Sequence, residues 1–246
     1  MDLQLSHRKA LVLGASRGIG AAIVSAFLQE GAQVHAVARG AQGLAELPAS
    51  PRLSRHAIDL TLPGALSQAL PAIGPIDHLV LCVSALATAQ PGDWQAAWQD
   101  TWHTDILATL SAIEDCLPWL QGSDAASIVY VGSRASQVQA PGSEAYGAGK
   151  AAMAHAMKSL SARLLPRVRV NVLSPGDTFS EGGFWDEVRQ QQPEAWQRAL
   201  ARNPMGRLAQ AHEIAQVAVF LASPAASFVA GANWHVDGGS TPVVQL

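Results

Sequence analysis

LVLGASRGIG, residues 11–20, runs a short apolar stretch directly into Gly14, Ala15, Ser16, Arg17, Gly18, Ile19 and Gly20. Apolar residues then recur at helical spacing, at Ile19, Ile23, Ala26 and Phe27, until Gly31 stops the pattern. Strand, glycine turn and helix in that order have a specific use. Glycine is needed where the chain turns tightly and where backbone must approach a pyrophosphate, and the helix start then offers free N–H groups and a favourable dipole to that anion. Gly14, Ser16, Arg17, Gly18, Ile19 and Gly20 are therefore candidate dinucleotide-binding residues. Outward from this unit, Gln33 to Ala38, Leu53 to Ile58, Ile76 to Cys82, Ser127 to Val131 and Val168 to Leu173 read as buried strands. Asp105 to Leu117 and Ala145 to Leu165 read as helices ended by Pro118 and Pro166, and Asn233 to Val236 as a last edge strand. Such alternation predicts an α/β fold, a doubly wound parallel sheet of about seven strands with helices on both faces. No linker or repeat divides the chain, so residues 1–246 are expected to form one domain.

Composition narrows the function. Of 246 residues, 49% are hydrophobic and 14% charged, and the net charge is −3 without a run of lysine or arginine. That balance argues against a nucleic-acid binder or a polybasic membrane anchor, and suggests area buried between subunits. The first twenty residues break their apolar stretch early with glycine and arginine, so neither a signal peptide nor a spanning helix is expected and a cytoplasmic location is inferred. Cys82 and Cys116 lie in apolar segments and read as buried thiols. The eight histidines, His103, His155 and His235 among them, form no pair at metal spacing, and no metal is expected.

Tyr146 and Lys150 share one helix face, and Ser133 stands thirteen residues before Tyr146 at the end of the run SIVYVGS. A phenol is a poor acid, but an ammonium beside it favours phenolate, and a third hydroxyl can hold the oxygen that receives the proton. With the G-x-x-x-G-x-G loop, this trio resembles the short-chain dehydrogenase/reductase family from Lys9 to Gly239, and the resemblance implies a Rossmann fold. By the same resemblance, Tyr146 is the acid or base, Lys150 supports it and binds the nicotinamide ribose, and Ser133 positions a carbonyl. Pro175 and Gly176 match the family's nicotinamide-side motif, with Thr178 after it and Ser180 where a threonine is usual. Asp59 and Leu60 match its adenine-side contact, although Asp59 also reads as a cap before Thr61.

Two positions depart from the family pattern. Leu81, Cys82, Val83 and Ser84 replace an Asn-Asn-Ala-Gly stretch, and Asp105 replaces an asparagine whose backbone carbonyl anchors a water behind the lysine. Asp105 keeps that carbonyl role, pairs its carboxylate with Lys150 or a nearby group, or caps a helix. Cofactor choice follows from charge. Where an acid after the second strand would accept a ribose 2'-hydroxyl, this chain has Ala38 and then Arg39, and Arg17 supplies a second guanidinium, so NADP(H) is expected.

The family's pocket corresponds to Ala85, Leu86, the loop Arg134 to Pro141 and a lid over residues 179–203 that includes Phe184 and Trp185. Arg134 is either a clamp for a substrate anion or a structural arginine. These features imply reversible, NADPH-dependent reduction of a small, mostly apolar ketone by a carbonyl reductase or alcohol dehydrogenase. A dinucleotide sensor or scaffold without turnover is the alternative. The resemblance further implies a homotetramer or homodimer.

Overall fold

A computed structural model describes residues 1–86 and 94–244. Its elements run β1 (Lys9–Leu13), α1 (Gly18–Gln29), β2 (Gln33–Ala38), α2 (Ala41–Ala45), β3 (Leu53–Ala57), α3 (Ala65–Ile73) and β4 (His78–Leu81). After residues 87–93 come α4 (Trp94–Asp100), a π-helical segment (Thr101–Leu107), α5 (Ala108–Leu120), β5 (Ser127–Val131) and α6 (Glu144–Leu164). The last part holds β6 (Arg169–Pro175), β7 (Thr178–Phe179), α7 (Phe184–Gln191), α8 (Pro193–Arg202), β8 (Ala209–Gln210), α9 (Ala211–Ala222) and β9 (Asn233–Val236).

Seven strands form one parallel sheet in the order β3-β2-β1-β4-β5-β6-β9, while β7 and β8 pair separately. Alternate residues of β1 feed opposite cores, because successive side chains on a strand point to opposite faces. Ala10 and Val12 join Ile23, Phe27, Ile214 and Val219 of α1 and α9 on one side. Leu11 and Leu13 join Leu70, Ile113, Cys116 and Met153 of α3, α5 and α6 on the other. The doubly wound sheet expected from the sequence is thus present, and its order reverses between β1 and β4, where such sheets bind ligands at their carboxyl edge.

Three boundary expectations are corrected. The helix expected to start at Asp105 is already under way there, since α4, the π-helical segment and α5 follow one another without a break. Pro118 does not stop it either. It lies in the last turn of α5, where the absent N–H forfeits one bond, and Gln121 N–H still reaches the Leu117 carbonyl at 3.2 Å. The third strand ends at Ala57, so Asp59 lies just past it.

Candidate active site

The glycine loop leaves β1 at the carboxyl edge and is pinned there by backbone. Gly14 N–H and Ala15 N–H both donate to the Val37 carbonyl of β2, at 2.9 and 3.0 Å. Gly14 has φ of +82°, and a Cβ on it would stand 2.4 Å from the Cys82 carbonyl oxygen, so only glycine fits. That contact uses the backbone of Cys82, which is why the loss of the usual asparagine pair after β4 leaves the loop in place. The N-cap residue Arg17 makes no side-chain cap bond at the start of α1, and no acid lies in the helix's first turn. Its free N–H groups, with the exposed side chains of Arg17 and Arg39 nearby, are a donor set that suits an anionic dinucleotide.

The second half of this edge comes from β6 and the C-terminal strand. Gly176 N–H donates to the Val236 carbonyl at 3.0 Å, and Thr178 Oγ1 donates to the Gly176 carbonyl at 3.0 Å. Ser180 then faces the glycine loop, its Oγ 3.5 Å from where a Cβ of Gly18 would be. Ile19 packs against the α1 core and Leu60 against the α3 core. Asp59 accepts the Thr61 N–H at 3.0 Å and the Thr61 hydroxyl at 2.7 Å. These two bonds, with Arg39 adding its charge, hold the Asp59 carboxyl below its ordinary value. Pro175, Gly176, Thr178, Ser180, Arg17, Arg39 and Asp59 thus gather at one edge of the sheet.

α6, which carries Tyr146 and Lys150, packs on the turn that follows Ser133 after β5. Ser133 Oγ accepts the Ala135 N–H at 3.1 Å, which leaves its own proton to donate. Lys150 is buried, donates to the Val131 carbonyl at 3.2 Å, and places Nζ 5.6 Å from the Tyr146 ring centre and 5.0 Å from that of Tyr130. Burial disfavours its ammonium, but Tyr130, Tyr146 and Asp105 around it outweigh burial and hold the lysine above its ordinary value. Burial pushes the Tyr130 phenol up, against the pull of the Lys150 ammonium beside it. Sequence reasoning took Tyr130 only as part of a strand. Its signal was a polar ring three residues before Ser133 in an otherwise aliphatic run.

Asp105 faces the lysine with its side chain. Gly149 allows this approach, since a Cβ there would lie 2.5 Å from Thr101 Cγ2 and would push the π-helical segment off α6. Asp105 Oδ1 lies 3.6 Å from Lys150 Nζ and accepts the Ser84 hydroxyl at 2.6 Å, while Oδ2 accepts the Ala85 N–H at 2.8 Å. The helix-cap reading is therefore set aside, because these donors belong to the loop after β4. At 3.6 Å the Coulomb attraction is about 4–5 kcal/mol for an effective dielectric of ~20. Desolvating each ion costs several kcal/mol, so the pair adds little to net stability and its placement calls for another explanation. Ser84 is a second residue that sequence reasoning noted only as a departure.

Arg134 is structural. Its Nη1 donates to the Ser240 carbonyl at 3.3 Å, and its Nη2 lies 3.7 Å from Asp177, which also binds Arg202 at the end of α8 at 2.7 Å. Within residues 179–203, Phe179 packs edge-on against Trp196 and under Arg189, whereas Phe184 is half exposed. A hollow of about 510 Å³ lined by Met157, Lys158 and Val244 includes none of the Ser-Tyr-Lys trio. Both cysteines are free thiols, pushed up by burial to about 11 for Cys82 and about 12 for Cys116.

A family model described as enoyl-(acyl carrier protein) reductase matches residues 14–241, from the glycine loop to past β9. The chain belongs to the short-chain dehydrogenase/reductase family. This short-chain dehydrogenase/reductase is 33% identical to the isoepoxydon dehydrogenase of Penicillium expansum over 250 residues, covering 96% of this chain and 95% of the relative. It is 35% identical to the D-threitol dehydrogenase of Mycolicibacterium smegmatis over 254 residues, with 98% and 95% covered. Among solved structures, the L-sorbose reductase of Gluconobacter frateurii complexed with NADPH and L-sorbose superposes with a TM-score of 0.89 at 25% identity, covering 99% of this chain and 100% of that one. The family is one of oxidoreductases. No helix among the described residues is long and apolar enough to cross a membrane.

Proposed function

We propose that this enzyme reduces a small carbonyl compound to an alcohol, reversibly, with NADPH as the preferred cofactor. The observation that carries the reading is the buried Lys150 ammonium, set near Tyr146 on one helix and tied to the last residue of β5, two residues before Ser133. Gly14, Ser16, Arg17, Gly18, Ile19, Gly20, Arg39, Asp59, Leu60, Pro175, Gly176, Thr178 and Ser180 would hold the dinucleotide, which supplies the hydride when bound. Tyr146 gives its proton to the carbonyl oxygen, Ser133 donates a hydrogen bond to that oxygen, and Lys150 stabilises the resulting tyrosinate and grips the ribose.

Preference for the phosphorylated cofactor rests on charge. Arg39 follows β2 two residues after Val37, whose carbonyl anchors the glycine loop, and Arg17 lies within that loop. Both guanidinium groups are available to a 2'-phosphate, and the similar sorbose reductase is a complex with NADPH. Half-exposed Phe184 and Leu86 support a substrate of mostly apolar character.

The test is a panel of aliphatic, cyclic and polyhydroxylated ketones with NADPH and with NADH. Stoichiometric NADPH oxidation by at least one ketone is expected, with no turnover in the Tyr146→Phe variant, which loses the proton donor and keeps the cofactor contacts. Tight NADPH binding without oxidation by any carbonyl would replace this reading with that of a dinucleotide sensor.

A further inference from the structure

Asp105 places a carboxyl group against the one ammonium of this site. Its side chain is 1% exposed and has little freedom, because Ser84 Oγ at 2.6 Å and Ala85 N–H at 2.8 Å hold its two oxygens. Among the described residues, the titratable groups that face Lys150 are Tyr146 on the same helix, Tyr130 from β5, Cys82 beyond β4 and Asp105 from the π-helical segment. Burial pushes the Tyr130 phenol and the Cys82 thiol up, so neither offsets the Lys150 ammonium at neutral pH, and Asp105 is the carboxyl group within reach of it.

We propose that the Asp105 carboxylate is a positioning residue that offsets the Lys150 ammonium and so moves the pH window of turnover upward, keeping the site a proton donor into more alkaline solution than an amide at this position would. The proposal rests on the carbonyl-reductase reading. In reduction the Tyr146 O–H bond breaks as the O–H bond of the alcohol forms, so reduction needs the phenol and oxidation needs the tyrosinate. An ammonium alone favours tyrosinate, and a carboxylate 3.6 Å from it cancels much of that field. The overall equilibrium fixes the ratio of kcat/KM in the two directions at any one pH. The carboxylate therefore shifts both profiles together and favours neither.

The chain has only two tyrosines, Tyr130 and Tyr146, and both face Lys150, so tyrosinate absorbance in the near ultraviolet reads this site directly. In a Tyr130→Phe background it reads Tyr146 alone, with neither cofactor nor substrate present. Adding Asp105→Asn should lower the midpoint of tyrosinate formation by about one pH unit or more. In the substrate assays it should lower the alkaline fall of reduction and the alkaline rise of oxidation by the same amount. Asparagine is the suitable replacement because its amide oxygen can accept the Ala85 N–H while its amide nitrogen donates to the Ser84 hydroxyl. An unmoved midpoint overturns the proposal even if turnover drops, because a purely structural role lowers rates without moving the profile. Should Asp105→Asn fail to fold, the Tyr130→Phe protein with Asp105 intact decides, and tyrosinate already present at neutral pH overturns it. A shifted midpoint in a protein that reduces no ketone would instead overturn the reductase reading and leave the effect of the carboxylate standing.

Discussion

Arg39 is the residue on which cofactor choice turns. The glycine loop is fixed to the Val37 carbonyl by two backbone N–H bonds, so the chain two residues further on must emerge beside the loop. A charge-assisted bond from Arg39 to a 2'-phosphate is worth about 1.5–3 kcal/mol, or about ten- to a hundredfold in affinity. Arg39→Asp should therefore weaken NADPH by about that factor and strengthen NADH, the carboxylate now accepting from the ribose 2'-hydroxyl. Titrations of cofactor fluorescence give both dissociation constants, and unchanged NADPH affinity would exclude the phosphate contact. Ser133, Tyr146, Lys150 and the glycine loop were legible in the sequence because their spacing is local, within a single helix or across one strand-to-helix turn. The partner of Asp105 was left open among three readings, since Ser84, Ala85 and Lys150 reach it from other elements and through the close approach at Gly149.

Elements are held in register partly by a buried cation that the sequence did not single out. Arg169, at the start of β6, donates to the carbonyls of Leu221 at 2.9 Å, Ala222 at 2.8 Å, Ser223 at 3.0 Å and Val229 at 3.2 Å. Three of these acceptors close the C-terminal end of α9, where the helix dipole favours a positive charge. Burial lowers the Arg169 value, yet a guanidinium stays charged throughout the pH range in which the protein folds. Arg169→Met should cost about 3 kcal/mol or more, because several buried carbonyls lose their donor at once. The urea midpoint should fall with an unchanged slope, and a loss below about 0.5 kcal/mol would mean that water satisfies the carbonyls instead. Strand positions were readable from apolar runs, but this contact joins residues more than fifty apart. The π-helical segment was equally hidden, since its hydrogen-bond pattern leaves no mark on apolar periodicity.

Acid sensitivity belongs to the whole molecule, because it sums over groups buried in the assembled sheet. His78 is fully buried in β4, with Nδ1 2.9 Å from Ser127 Oγ, its ring stacked on Phe27 at 6.1 Å, and Nε2 without a hydrogen-bond partner among the described residues. Burial lowers its value from 6.5 to about 4, against the pull of Asp77. His35 is also lowered to about 4, by burial and by His56, whose Nε2 is 3.0 Å away so that the two rings share one proton between them. For a lowered histidine the unfolded chain binds more protons than the folded one, so its contribution is complete above about pH 6.5 and is lost as pH falls toward about 4. Depressed carboxylates such as Asp77 act below the ordinary value of 3.8, whereas Asp115, raised by burial and by Glu114, takes up its proton above it and opposes the histidines there. The slope from His78 alone should approach about 1.4 kcal/mol per pH unit. Urea midpoints measured across that window should fall steadily. His78→Gln, whose amide can still bond Ser127, should flatten the fall by the share of one proton. Equal slopes in the two proteins would mean that His78 takes up its proton without unfolding the sheet, and that acid sensitivity arises elsewhere.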